Sequence, residues 1–383
     1  MVFSLVPATV WAETTNGHTH YLCGGSTCNG SGHENETYKT TFEKEIKQEG
    51  NTLKIGDKSW APTKGSNDTF YILPTGTYYL GSDISLEYII KIENNVTLCL
   101  NGHKITAADG MDAIYMTGGS ITLTDCKGVG TITHASSKTG RGVYVSSGTF
   151  NMYGGSITGN NQSGKAVAGG VYVGEGGIFN MYGGKITDNI SSSGGVGVSG
   201  TFNMYGGTIS GNTADGTETH GGGGVSVGSS STFTMNGGTI SGNKAVSNGG
   251  GVRVCYGGTF TMNDGTISKN TATNGGGVYV SSDTRSSTFT MSGGTITKNN
   301  ATYGGGVYMG DNTTFTMENG TITGNNAGSG GGVYVSNSGA FTMNGGSITG
   351  NTAKNNGGGV FMYKKTTFTM ENGTITGNNA GSG

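Results

Sequence analysis

From Phe150 onward the chain keeps one spacing without exception. Phenylalanines at 150, 179, 202, 233, 260, 289, 315, 341 and 368 each have Met two residues later and Ile seven residues later, and an Asn follows that Ile by three, from Asn160 to Asn378. A Gly-Gly-(Gly)-Val segment closes the unit, as in GGGVYV at 275–280, and only the gaps around it vary. Successive phenylalanines are 23 to 31 residues apart, a period that means a solenoid, propeller or array. Segments such as GGGVYV, TFTM and GGTIT carry β-branched and aromatic residues in period-two alternation with Gly-Gly breaks, which excludes helical repeats. A propeller blade needs about 40–45 residues and four strands. What fits is all-β: a right-handed, single-stranded parallel β-helix, or β-solenoid, with three short strands per coil.

Alternation then assigns inside and outside. Val278 and Val280, Phe289 and Met291, and Ile296 share one side; Tyr279, Thr288 and Thr290, and Thr295 and Thr297 share the other. The first set is the expected core. Coils stacked about 4.8 Å apart would make the nine units a rod of roughly 43 Å. The Asn after each Ile is expected either to turn inward as a hydrogen-bonded amide ladder or to serve as a left-handed turn residue. Gly is 78 of 383 residues, but a disordered linker would lack apolar residues in fixed order, so these glycines read as turns.

The rest of the chain divides as 1–12, 13–58, 59–140 and the array at 141–383. The first twelve residues, MVFSLVPATVWA, resemble the end of a signal peptide, with Val10 and Ala12 at −3 and −1 before Glu13, so export is expected. Residues 13–58 are polar and carry Cys23 and Cys28 beside His18, His20 and His33. That spacing favours a small disulfide loop over a zinc site. From Trp60 the pattern turns strand-like and reads as a cap with irregular first coils. Cys99 and Cys126 are 27 apart, near one coil, and so are candidates for a second disulfide; Cys255 is left over. The letter-for-letter recurrence of 313–330 at 366–383 points to duplication, and the array is expected to continue into further repeats and an anchor.

Lys and Arg total 21 against 23 Asp and Glu, with arginines only at 141, 253 and 285. No basic stripe exists for nucleic acid, and no apolar run is long enough for a transmembrane helix. No cofactor or metal is expected. GNNQSGKA at 159–166 imitates a phosphate loop but has Ala166 where Ser or Thr would hold magnesium, and GVGVSG at 195–200 lacks a βαβ setting. A catalytic β-helix needs a unique cluster of acids or a base beside calcium-binding carboxylates. The array's acids, Asp188, Asp215, Asp264, Asp283, Asp311, Glu175, Glu218, Glu318 and Glu371, are scattered, and Glu318 and Glu371 are copies of one repeat position. In the irregular coils His103 and Asp125 are the best candidates for unique chemistry, though turn and cap roles are expected for both.

Two outward columns could meet a ligand. Tyr144, Tyr172, Tyr279, Tyr308, Tyr334 and Phe361 form an aromatic strip, the last four on consecutive rungs, which either stacks on sugar rings or stabilises its own sheet. The T-x-T pairs, such as Thr288/Thr290 and Thr314/Thr316, resemble the grids of ice-binding solenoids, but Asn151, Asn180, Asn203 and Ala340 interrupt them.

The run of GGGV, F-x-x-N (Phe233 to Asn236, Phe260 to Asn263, Phe341 to Asn344) and G-N-x-A resembles the repeats of polymorphic outer-membrane-protein passengers. Nearly the whole chain is more similar to glycine-rich right-handed β-helix repeat proteins secreted by Gram-positive bacteria, through HTHYLCGG at 18–25 and LCLNGH to LTDC at 98–126. The resemblance implies surface display and adhesion. The expectation is an exported structural or adhesive segment of a bacterial surface protein, not an enzyme, meeting host-surface or cell-wall glycans or proteins. A carbohydrate-binding or carbohydrate-cleaving β-helix is the alternative, and an ice-binding solenoid a remote one.

Overall fold

The structure, a computed structural model, describes residues 18–21 and 39–382 apart from 67, 136, 164–166, 217–220, 229 and 283–284. The chain coils as a parallel β-helix. One representative coil contains Val278–Val280, Thr288–Met291 and Thr295–Thr297, each hydrogen-bonded in parallel to its equivalent in the coils before and after. These are the three expected strands. A fourth paired run follows, Asn300–Tyr303 in this coil, and forms its own sheet from Asn161–Gln162 to Asn379–Ser382. In most coils its inward side chain is an alanine, as at Ala272 and Ala301, and in the first two it is Gln162 and Ser191, too weak a signal to read from the sequence.

The core is a set of columns. Phe150 through Phe341 are almost wholly buried, and their rings stack with centroids 4.6–4.9 Å apart. Parallel pairing forces this spacing, because each ring stands directly on its equivalent one strand separation away. Each buried Phe contributes about 1.5–3 kcal/mol of apolar burial, and each stacked pair about 0.5–1.5 kcal/mol more. Valine, methionine and isoleucine columns close the remaining sides.

Two glycine positions are required by this stacking. Gly294 has φ +79°, and a Cβ there would lie 2.6 Å from the Met262 methyl of the previous coil. At Gly277 a Cβ would meet the Gly306 carbonyl at 2.5 Å. The first lets methionine tuck beneath the next turn; the second lets successive backbones touch.

The asparagines after each isoleucine turn inward. From Asn160 to Asn351 every Nδ2 donates to the Oδ1 of the next asparagine at 2.9–3.0 Å, the last acceptor being Asn378. Each Nδ2 also donates to the carbonyl of the isoleucine one coil back, as Asn299 does to Ile267. The next backbone relation runs the same way, the Asn299 N–H donating to Asn325 Oδ1. The left-handed conformation belongs to the residue before, such as Lys298 at φ 56°. Of the two expected roles, the amide ladder is the one observed.

The N-terminal edge is covered, but the cover begins earlier than composition indicates. Lys44–Glu49, inside the polar segment 13–58, pairs in parallel with Gly76–Leu80 and antiparallel with Thr52–Ile55. Its charged sequence KEIKQE hides one inward residue, Ile46, and the neighbouring strand hides Leu53; both are buried with Trp60. An antiparallel cap consumes the open strand edge at that end. At the other end the last rung is uncovered, and Met370 is 43% exposed where Met343 is fully buried.

Candidate functional site

The outward face of the V-x-V sheet is the column to which the sequence assigned a ligand. Register places Lys91, Tyr115, Tyr144, Tyr172, Gly197, Ser226, Arg253, Tyr279, Tyr308, Tyr334 and Phe361 on successive rungs. The strip is therefore two aromatic ladders separated by Gly197, Ser226 and Arg253. Tyr115, which does not belong to the regular array, extends the lower ladder and stacks on Tyr144 at 5.1 Å. In the upper ladder Tyr279, Tyr308 and Tyr334 stack at 5.1 Å with interplanar angles of 14° and 8°.

Stacking along the axis turns the ring faces toward each other. An interior rung consequently offers solvent only its edge, and Tyr334 is only 8% exposed. Burial raises the hydroxyl pKa of Tyr279 and Tyr308 above 10.0 and carries Tyr334 to about 12. Such a ladder mainly stabilises its own sheet, since a sugar needs a free ring face. A second ladder, Tyr153, Tyr182 and Tyr205, stacks at 4.6 and 4.9 Å beside the F-x-M strands. Its last ring, Tyr205, is 47% exposed. The signal for it was a Tyr following N-M in three consecutive units, NMYGG.

The two candidates for unique chemistry are not brought together by any direct contact. Asp125 is buried and accepts hydrogen bonds from the backbone N–H groups of Gly102 and Gly130 at 2.7 and 2.6 Å, one on each carboxylate oxygen. His103 Nδ1 lies 3.3 Å from Asp83 Oδ1, which also accepts from the Lys104 N–H. Both arrangements pin turns. His134, unremarked in the sequence, is more unusual: its Nδ1 is 2.8 Å from Asn160 Oδ1 and its Nε2 is 2.8 Å from the Met111 carbonyl. It forms the head of the asparagine ladder.

The Cys99 and Cys126 sulfurs are 3.7 Å apart on neighbouring coils, packed with Phe42 and Tyr79 outside the main core. The two cysteines expected to pair are thus neighbours, at a separation longer than an S–S bond. Cys23 and Cys28, and His33 beside them, lie outside the described residues, as do Ala166, Asp283, Glu218 and the segment 1–12. Cys255 is buried, with Arg253 Nη1 2.8 Å from its sulfur. Among the described residues no group of three or more metal-ligating side chains occurs, and no helix is long and apolar enough to cross a membrane. GVGVSG at 195–200 runs through the strand Val196–Val198 in the V-x-V sheet.

A family model described as a right-handed β-helix region matches residues 247–383, the most regular stretch of the array. The chain has the fold of a β-helix repeat protein. No curated protein and no solved structure is found to match it. The match begins well inside the array, past four units that keep the same spacing, so it describes the columns and not the cap.

Proposed function

We propose that the chain is an exported structural or adhesive β-helix segment of a bacterial cell-surface protein, without catalytic activity of its own. The observation that carries this reading is the equivalence of outward positions: threonines, asparagines and tyrosines form columns, interrupted at a few rungs, in which many side chains are engaged with the equivalent one coil away. Asn180 donates to Asn151 and Asn203 to Asn180, Asn263 donates to Asn236, and Thr288 to Thr259. Such faces suit rigid display and repetitive, low-specificity contact. Asp125, with both oxygens held by backbone, does not favour the carbohydrate-cleaving alternative.

The partners would be glycans or proteins of a host surface or a cell wall. The purified chain, fluorescently labelled, is expected to bind host cells, mucin or isolated cell wall without releasing reducing ends from polysaccharides. Loss of the adhesive reading would follow from absence of binding to all three, leaving a spacer role; release of reducing ends that disappears in Asp125→Asn would overturn the non-catalytic reading. Fractionation of cells expressing the gene tests export directly.

A further inference from the structure

A cleft of about 660 Å³ opens beside the first coils, where the cap, the irregular coils and the array meet. That volume lies within the range of small-molecule sites, about 300–1,000 Å³. Its polar wall is preorganised. Arg141 Nε and Nη2 donate to the two carboxylate oxygens of Asp112 at 2.7 and 2.9 Å, and the guanidinium lies 4.3 Å from the Tyr144 ring centre. Held by a bidentate pair and an aromatic face, this arginine cannot easily swing out.

Beside it Gln162 is 5% exposed, and among the described residues its Oε1 has no hydrogen-bond partner. A buried acceptor left unpaired is costly, and this one lines the cleft. A ligand that donates to it would recover that cost.

The lining chemistry narrows the ligand. Asp68, Asp112 and Arg141 leave one net negative charge, and Gln162 Oε1 and Thr69 add further acceptors. Phosphates and uronic acids would meet repulsion. Purely apolar molecules would leave Gln162 unpaired. Tyr88, Ile89, Met111 and Val167 supply apolar walls, onto which the C–H face of a pyranose ring can pack while its hydroxyls donate to the acceptors.

We propose that this cleft is a binding site for a neutral sugar unit, with Gln162 and the Asp112–Arg141 pair fixing its hydroxyls and Tyr88 packing on its face. The site goes beyond the structural and adhesive role and does not depend on it.

Isothermal titration of the whole chain with neutral oligosaccharides (cello-, manno-, xylo- and chito-tetraose) and with trigalacturonate tests it. At least one neutral sugar is expected to bind at least about tenfold more tightly than the uronate. Gln162→Leu and Tyr88→Ala should each weaken that binding about tenfold in protein that remains folded, whereas Tyr308→Ala, high on the upper ladder, should leave it as it was. If Gln162→Leu unfolds the protein, Tyr88→Ala decides. No neutral sugar bound at millimolar concentration, equal or tighter uronate binding, or binding indifferent to Gln162 and Tyr88 would each overturn the site. Failure here leaves cell-surface adhesion untouched, because adhesion is measured on cells with the same variants.

Discussion

The regular array and the irregular first coils share one winding but differ in what a single residue means. In the array each position is one member of a column, so Phe289 sits between Phe260 and Phe315 and Asn270 between Asn243 and Asn299. In the first coils the same columns are made of singular residues. The Phe position becomes Ile121 and Val96, the head of the Asn ladder becomes His134, and the outward column there contains Lys91 and Tyr115. Repetition yields rigidity, because every contact is made many times over; a singular cluster such as Asp112, Arg141 and Gln162 arises where the irregular coils meet the first turns of the array.

The comparison breaks first in the core. Phe289→Ala removes one ring from a stack that neighbouring coils hold at fixed spacing, so the gap cannot collapse, and about 3–5 kcal/mol of stability should be lost in denaturant unfolding. Ile121→Val in the same column of the first coils should cost only about 0.5–1.5 kcal/mol. Similar losses for both would mean that the array is no more rigid than the cap.

Next comes the ladder. Asn270→Ala strands the Asn243 backbone N–H and the Ile240 carbonyl, and should cost about 1–3 kcal/mol. His134→Asn, at the head of the same ladder, keeps an amide there and should be tolerated better. The reverse ranking, read from thermal midpoints, would show that the ladder is held from its end and not along its length.

The upper tyrosine ladder sharpens the contrast by pH. Burial disfavours the phenolate of Tyr334 and raises its pKa from 10.0 to about 12, so the neutral ring's contribution is fully present below about pH 10 and is lost as pH rises through about 12. Denaturant midpoints should fall across that window, and Tyr334→Phe should flatten the fall. An unchanged slope would place the alkaline sensitivity elsewhere. Smallest of all, Thr288→Ser on the outer face of the array should change stability by no more than about 0.5 kcal/mol; a loss rivalling that of Phe289→Ala would invert the inside and outside assignment.

The array was legible because its code is redundant. Phe-x-Met and Ile recur at constant spacing, and side chains alternate across a strand, so the core columns and the outward aromatics Tyr279, Tyr308, Tyr334 and Phe361 followed from counting. The cap was less legible: KEIKQE has one inward isoleucine, and what buries it is a partner strand some thirty residues away in sequence, Gly76–Leu80. His134 was invisible for a related reason, since a histidine two residues after Ile132 does not obey the Ile-plus-three rule and only the coil geometry brings its ring to Asn160. Tyr115 was missed because it lies outside the repeat.

By itself the sequence determined that this chain winds, how its coils are spaced, and which side chains enter the core, because those depend on periodicity and periodicity is local. Tertiary structure alone decided that the asparagines share one hydrogen-bonded ladder, that the tyrosine faces are turned to one another, and that Asp112, Arg141 and Gln162 line one cleft. Those three residues stand 29 and 21 positions apart in the chain, and only the return of the backbone after each full coil, with parallel strands held at a fixed separation, makes them neighbours.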